Sequence, residues 1–443
     1  MDIVITQRGR AYLALLAFTA SLAIIADYRL LVVFSILLSL YVSMKTYVEI
    51  AMGLIEDLVV EGSSSYTTER EPLLVKYRIV NRSSHSILLL EYSLEYESTL
   101  MLINGVKAGV LTIPGKTTVV LEFEFRARTG LHWIGPFKVV IRDPLGLFKS
   151  PELKIGSKLE LSIPPAIDPV IVRRLYAFTR SIGLVKTRTP GEGIEFYDIR
   201  EYRPVDELKR IVWRVYASSG RLAVWEAERE SYQGILYVLD ACRDMWTGPY
   251  NQSIFEQSAR VIASIARYAA RRGYAQSIIV FNESQVLDSG KLAHGIMGYN
   301  RIMNAIANTA ISGVNTTLHA ENWSQVLEKL LYMLPKESTF IFIFTRTSSG
   351  RIDQLIHLAT ELRSLGHQVY VVTPIVTTYD ITRDLPKSLH GVYRAKQLLI
   401  LREDLEGIIK LRQTGVRVIS MTPLHVAQKI VQLIESTAPV HSR

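Results

Sequence analysis

The chain has 443 residues, 51 Lys/Arg against 42 Asp/Glu, a formal charge of +9, and 48% hydrophobic and 21% charged residues. This excludes a disordered or low-complexity protein and points to several domains, at about 100–200 residues each. One cysteine, Cys242, excludes an intramolecular disulfide framework and a cysteine-rich zinc site, and basic residues interspersed with acids exclude a nucleic-acid-binding stripe.

Two uncharged runs open the chain. Ala11–Ala26 and Leu30–Met44 are separated only by Asp27-Tyr28-Arg29. Each is shorter than the roughly 20 residues a spanning helix prefers, but apolar flanks or a thin bilayer accommodate that. A buried helix pair and a cleaved signal peptide are the alternatives; the second run and the lack of a small-residue cleavage site weigh against the latter. The reading is a transmembrane helical hairpin over residues 1–46. Arg8, Arg10 and Lys45 flank it, so the positive-inside bias places both ends and the soluble domains in the cytoplasm of a two-pass cell-membrane protein. Glycans on the Asn-x-Ser/Thr triplets at Asn81, Asn251, Asn282, Asn315 or Asn322 would reverse that orientation.

Residues 47–150 read as an antiparallel β-sandwich. Leu73–Val80, Ile87–Tyr96, Leu100–Ile103, Thr117–Arg126 and Phe137–Arg142 are short, β-rich and often alternating. Turn residues separate them, among them Asn104-Gly105, Pro114-Gly115 and Gly135-Pro136. Its simplest role is a spacer above the bilayer. Residues 151–232 form a linking region with a helical stretch near Val170–Thr179 and a dense polar-aromatic block. From 233 to 443 apolar strands alternate with helices: Gly234–Asp240, Ala275–Phe281, Thr339–Thr345, Gln368–Thr373 and Val416–Met421 are the strands. That order predicts an α/β doubly wound sheet, whose ligands lie beyond the strand carboxyl ends.

No phosphate-binding loop, H-E-x-x-H or G-x-S-x-G occurs, and the nine histidines are scattered. After the first α/β strand comes Leu239-Asp240-Ala241-Cys242-Arg243-Asp244-Met245. Asp240 and Asp244, with a hydroxyl from Thr316 or Thr317, are spaced to converge on a hard cation such as Mg²⁺. The alternatives are a helix-capping Asp240, or acids paired with Arg243. Cys242 reads as a small loop residue rather than a nucleophile. A second constellation runs from Gly193 to Trp213, where Arg200, Arg203 and Arg210 can pair with Asp198, Glu201, Asp206 or Glu230. Such a network either clamps the segment onto the α/β domain or forms a docking or anion-binding surface.

These residues carry a resemblance. Asp143-Pro144-Leu145-Gly146-Leu147-Phe148, and Glu195, Phe196, Arg200, Tyr202, Asp206, Arg210, Ile211 and Trp213 in their spacing, look like the signature of the domain-of-unknown-function 58 family; Glu226–Glu230 is also similar. The resemblance implies a membrane-anchored protein with a von Willebrand factor A-like C-terminal domain and an assembly partner of the MoxR-type AAA+ ATPases. Val205 stands where the signature has Gly, and Ala217-Ser218 also departs from it. The metal-ion-dependent adhesion site of A domains, D-x-S-x-S, is matched only by Asp240-x-Cys242-x-Asp244, with Thr316 as its distant Thr. Thr345-Arg346 replaces a later acid. Soft sulfur is a poor Mg²⁺ ligand, so a degenerate, weak or absent metal site is the expectation. The first reading is therefore a membrane-tethered interaction or assembly protein and not an enzyme. Its competitors are an extracytoplasmic adhesion or envelope-biogenesis protein and a metal-dependent hydrolase.

Overall fold

The computed structural model describes residues 3–25, 27–181, 190–204, 206–228, 234–311, 320–373 and 387–437. For 178–181, 190–198, 226–228, 320–322 and positions 349, 387, 393, 397 and 437 only the backbone is described. Two compact units divide the chain, Met1–Ile163 and Pro164–Arg443.

The first unit contains β1 (Val4–Ile5), α1 (Gln7–Ile25), α2 (Leu30–Gly53), β2 (Leu58–Ser64), β3 (Leu73–Asn81), β4 (Ile87–Tyr96), β5 (Met101–Asn104), β6 (Ala108–Ile113), β7 (Thr118–Arg126), β8 (Gly130–Ile141), β9 (Phe148–Lys149), β10 (Leu153–Ile155) and β11 (Leu159–Ile163). Both helices are long and apolar enough to cross a membrane. Leu15, Phe18, Val32 and Ile36 are exposed along them, a surface that favours hydrocarbon over water. The second helix outlasts its uncharged run by nine residues. Lys45 and Glu49 pair on its outer face at 3.5 Å, while Val48 and Ala51, three apart and so on one face, are buried.

Two antiparallel sheets follow, β2-β3-β7-β5 and β10-β8-β4-β6, with β11 also on β8. Alternation along β3 explains one inner face: Leu73, Val75, Tyr77 and Ile79 are buried, and Leu74, Lys76 and Arg78 exposed. These side chains share a core with Leu90, Leu94, Phe137 and Val139 of the other sheet. The Tyr77 ring meets Phe137 edge-on at 4.8 Å. Each such fully buried side chain contributes roughly 1.5–3 kcal/mol. Gly135-Pro136, expected as a turn, lies inside the 12-residue β8. Gly135 there has φ +88°, and the kink divides the strand into a half that pairs with β11 and a half that pairs with β10. Asn81 is buried, its amide donating to the His85 carbonyl at 2.9 Å, so that triplet is closed to a glycan in the folded chain.

The second unit contains α3 (Pro169–Ser181), β12 (Pro190–Glu201), α4 (Trp213–Ser219), β13 (Ala223–Glu228), β14 (Ile235–Asp240), α5 (Ile254–Arg272), β15 (Ala275–Phe281), β16 (Val286–Asp288), β17 (Ala293–His294), α6 (Gly295–Ala307), α7 (Ala320–Met333), β18 (Phe340–Phe344), α8 (Ile352–Ser364), β19 (Gln368–Val372), α9 (His390–Gln413), β20 (Arg417–Ile419) and α10 (Pro423–Thr437). The large sheet runs β16-β15-β14-β18-β19-β20 and is parallel from β15 to β20, with β16 and β17 antiparallel on β15. Continuous apolar strands suit a sheet covered on both faces. Ile235, Tyr237, Leu239, Phe340 and Phe342 pack with α3, α5, α6 and α10. Their neighbours Leu236, Val238, Ile341 and Ile343 pack with α7, α8 and α9. The helical stretch read as part of a linker thus contributes Ile171 and Leu175 to the α/β core. Helix α5 begins at a reciprocal Ser253–Glu256 capping box and ends at Gly273 with φ +82°. Asn282 is also buried, donating to the Ala310 carbonyl at 2.9 Å.

Candidate functional site: an arginine-filled rim of the parallel sheet

The first strand of the sheet, β14, has β15 on one side and β18 on the other, so the chain reverses direction of travel across the sheet at its carboxyl end. Asp240 terminates β14 there and is fully buried. One carboxylate oxygen accepts the Cys242 amide at 2.9 Å, and the other accepts the Thr345 hydroxyl at 2.6 Å. The same second oxygen accepts Nη1 of Arg351. Asp244 stands on the next turn, and its Oδ1 accepts Nη2 of Arg351 at 2.5 Å. A single guanidinium, 1% exposed, therefore joins both acids.

Arg346 adds a second layer. Its Nη1 lies 3.6 Å from Asp244, its Nε 3.3 Å from Asp404 and its Nη2 3.3 Å from Glu403. Asp404 belongs to α9, which is pressed on this loop: the Thr347 hydroxyl donates to the Asp404 carbonyl at 2.8 Å. Gly407 passes so close that a Cβ there would sit 1.7 Å from the Thr347 oxygen. Burial works against the Arg351 charge, but Asp240 and then Asp244 outweigh it and hold the guanidinium above its ordinary pKa. Burial likewise pushes the Asp404 carboxyl up, only partly countered by Arg346. The Cys242 thiol is driven far upward, by burial first and the Asp240 charge second, so it is a protonated core group and not a nucleophile.

These residues do not fit a hard divalent cation. A cation between Asp240 and Asp244 would have to displace a buried guanidinium, and the intervening side chain is a protonated thiol. Among the described residues no group of three or more His, Cys, Asp or Glu is placed to hold a metal. Thr316 lies outside the described residues. Sequence reasoning found Asp240 and Asp244 and weighed Arg243 as their partner; the partner in the structure is Arg351. Its place just beyond β18, on the rim where sheet ligands lie, was the available signal.

The signature segment forms a separate element of this unit, the β12–β13 ribbon with α4 between its strands. Arg200 grips Asp206 with both Nη atoms, at 2.7 and 2.6 Å, and the Arg203 amide adds a bond at 2.7 Å. The Arg200 hydrogen bond, followed by that of Arg203, lowers the Asp206 pKa to about 2. Arg210 lies near Glu207 at 3.5 Å and over the Trp225 ring at 6.0 Å. The Tyr202 amide donates to the Leu222 carbonyl at 3.0 Å, extending the pairing at the α4 end of the ribbon. Leu208, Trp213 and Tyr216 are exposed, Trp213 by 63% and edge-on to Tyr216 at 6.3 Å. Glu195, Asp198 and Glu230 lie outside the described side chains.

Comparison with known proteins reaches this region. The family model "Protein of unknown function DUF58" matches residues 198–382. The chain is similar to DUF58 over that stretch. The stretch contains Arg200, Asp206, Trp213, Asp240, Asp244, Arg346 and Arg351, whereas Glu403 and Asp404 lie beyond it. No curated protein matches the chain. Among solved structures, the SpRpn10 VWA domain aligns at 10% identity and a TM-score of 0.29, covering 48% of this chain and all of that one. Proximal thread matrix protein 1 from the mussel byssus aligns at 12% identity and a TM-score of 0.29, covering 46% of each chain. The DUF58 stretch thus joins two features, a self-neutralised sheet rim and a ribbon that presents exposed aromatic side chains.

Proposed function

We propose that this chain is a membrane-anchored interaction protein whose DUF58 region, within a von Willebrand factor A-like doubly wound domain, docks an assembly partner without a bound metal. The observation that carries this reading is the exposed Trp213–Tyr216 pair of the signature segment, with Leu208 also exposed. Large aromatic side chains left in water on a framework held by the Arg200–Asp206 clamp are the usual anchors of protein interfaces. The sheet rim supports the absence of a metal requirement, since Arg351 supplies the positive charge between Asp240 and Asp244. Among the described residues no nucleophile–base pair stands beside them, so recognition is preferred to hydrolysis.

The partner proposed is a MoxR-type AAA+ ATPase on the cytoplasmic side, the orientation that Arg8, Arg10 and Lys45 favour. The test is retention of such a purified ATPase by the tagged full-length chain in detergent, with and without EDTA. Retention should survive EDTA and fall at least tenfold in Trp213→Ala. Retention that requires Mg²⁺, or that Trp213→Ala leaves intact, overturns the reading. Protease cleavage of the second unit in right-side-out cells would instead favour the extracytoplasmic alternative.

A further inference from the structure

The Asp143–Phe148 turn plays no part in the site above, yet it is built with care. Asp143 is buried, its two oxygens accepting the amides of Leu145 at 2.9 Å and Phe148 at 2.5 Å. The turn grips the start of the hairpin. Strand β1 pairs with β9 in the register Val4↔Lys149 and Ile5↔Phe148. The Thr6 amide donates to the Leu147 carbonyl at 2.9 Å, and the Thr6 hydroxyl to the Gly146 carbonyl at 2.6 Å. Gly9 packs so tightly that a Cβ there would lie 2.3 Å from the Leu147 oxygen. Leu147 and Phe148 are buried with Val48 against Tyr12, Tyr41, Met44 and Tyr47, and the Tyr41 and Phe148 ring centroids are 4.8 Å apart.

Those contacts set a depth. Arg8, Arg10, Tyr12, Tyr41, Lys45 and Tyr47 are charged and tyrosine residues at the end of the apolar spans away from Asp27–Arg29, the composition of a headgroup layer. The turn is fastened among them, not below them. From Arg8 to Tyr12 the helix rises only about 6 Å. At the tip of the turn Leu145 is 43% exposed, and a Cβ on Gly146 would stand 3.7 Å from the Arg8 guanidinium. Lys45 shares its charge with Glu49 at 3.5 Å and Arg142 with Glu91 at 2.7 Å. Among the described residues Arg8, Arg10 and Lys149 have no carboxylate partner.

We propose that the Pro144-Leu145 tip, with Arg8, Arg10 and Lys149, is a docking surface for an anionic lipid bilayer. Leu145 enters the interface while the three cations meet lipid phosphates, so the first unit is seated on the membrane rather than held above it. The inference rests on the membrane-spanning reading of α1 and α2 and extends it. A spanning helix alone fixes neither the height nor the tilt of the β-domain joined to it. A turn locked to that helix by backbone hydrogen bonds fixes both.

The test uses the full-length chain in vesicles of equal parts phosphatidylcholine and phosphatidylglycerol. Leu145→Cys carries a fluorophore, and the native Cys242 is buried and escapes labelling. Val106→Cys is the control: it is exposed, and its carbonyl accepts the Tyr92 hydroxyl on the part of β4 away from Leu88, whose amide is bonded to Tyr47. A headgroup-borne quencher should darken position 145 several-fold more than position 106. In Arg8→Gln/Arg10→Gln the enrichment of phosphatidylglycerol around the chain should fall, by roughly five-fold per charge removed at about 1 kcal/mol each. Equal quenching at 145 and 106, or unchanged enrichment, in a chain that resists carbonate extraction overturns this inference alone. Release of the parent chain by carbonate overturns the membrane-spanning reading along with it.

Discussion

Replacing Arg351 by Met removes the guanidinium from between Asp240 and Asp244 while keeping an unbranched side chain of similar reach. The two acids then fare differently. Asp244 is one-third exposed and recovers water, whereas Asp240 is fully buried and keeps only the Cys242 amide and the Thr345 hydroxyl. Two charge-assisted hydrogen bonds at about 1.5–3 kcal/mol each are lost, and stranding one partner of a buried pair costs about 3–5 kcal/mol. For a unit of this size that corresponds to a fall in Tm of roughly 10 °C, at about 2–4 °C per kcal/mol. The assay is thermal unfolding of the full chain in detergent, with hydrogen exchange of the β14 and β18 peptides to localise the loss. The double variant Arg351→Met/Asp240→Asn should recover most of the loss, because neither charge remains. Millimolar Mg²⁺ should leave the parent transition unmoved. A loss below about 1 kcal/mol, or a Tm raised by Mg²⁺ in the parent, would refute the claim that Arg351 occupies the cation position.

Three further outcomes are expected. Cys242 should resist thiol reagents in the folded chain at pH 8 and react at the rate of global unfolding, because burial and Asp240 hold it protonated; fast labelling of the native chain would contradict that. Since the Asp206 pKa is lowered to about 2, the clamp it forms with Arg200 is fully present above the ordinary carboxylate range and is lost as pH falls through about 2. The protection factor of the Arg203 amide should fall there and not between pH 5 and pH 7. Gly407→Ala should loosen α9 from the Thr347 loop, at about 1–3 kcal/mol for an overpacked contact, read as earlier unfolding of the second unit.

Periodicity carried most of the strong elements. Strand β3 announces itself by alternation, and β14 and β18 by unbroken apolar runs, because each of those signals is local. Weak elements escaped for the same reason. Strands β16 and β17 have three and two residues, too few to show a period, and exist because β15 offers its edge. Gly135-Pro136 looked like a turn, since nothing in a window of a few residues says that two other strands wait to pair on either side of it.

Local order in the chain was enough to assign the two uncharged runs, the β-rich stretch, the alternating strands and helices, and the acids Asp240 and Asp244 at a strand end. Hydrophobic spacing encodes these within a few turns of backbone. Tertiary structure alone decided that a guanidinium more than a hundred residues away in sequence fills the gap between those acids, and that the Asp143–Phe148 turn grips the base of the hairpin. Charge pairing and close backbone approach depend on distance in space, which chain spacing does not record.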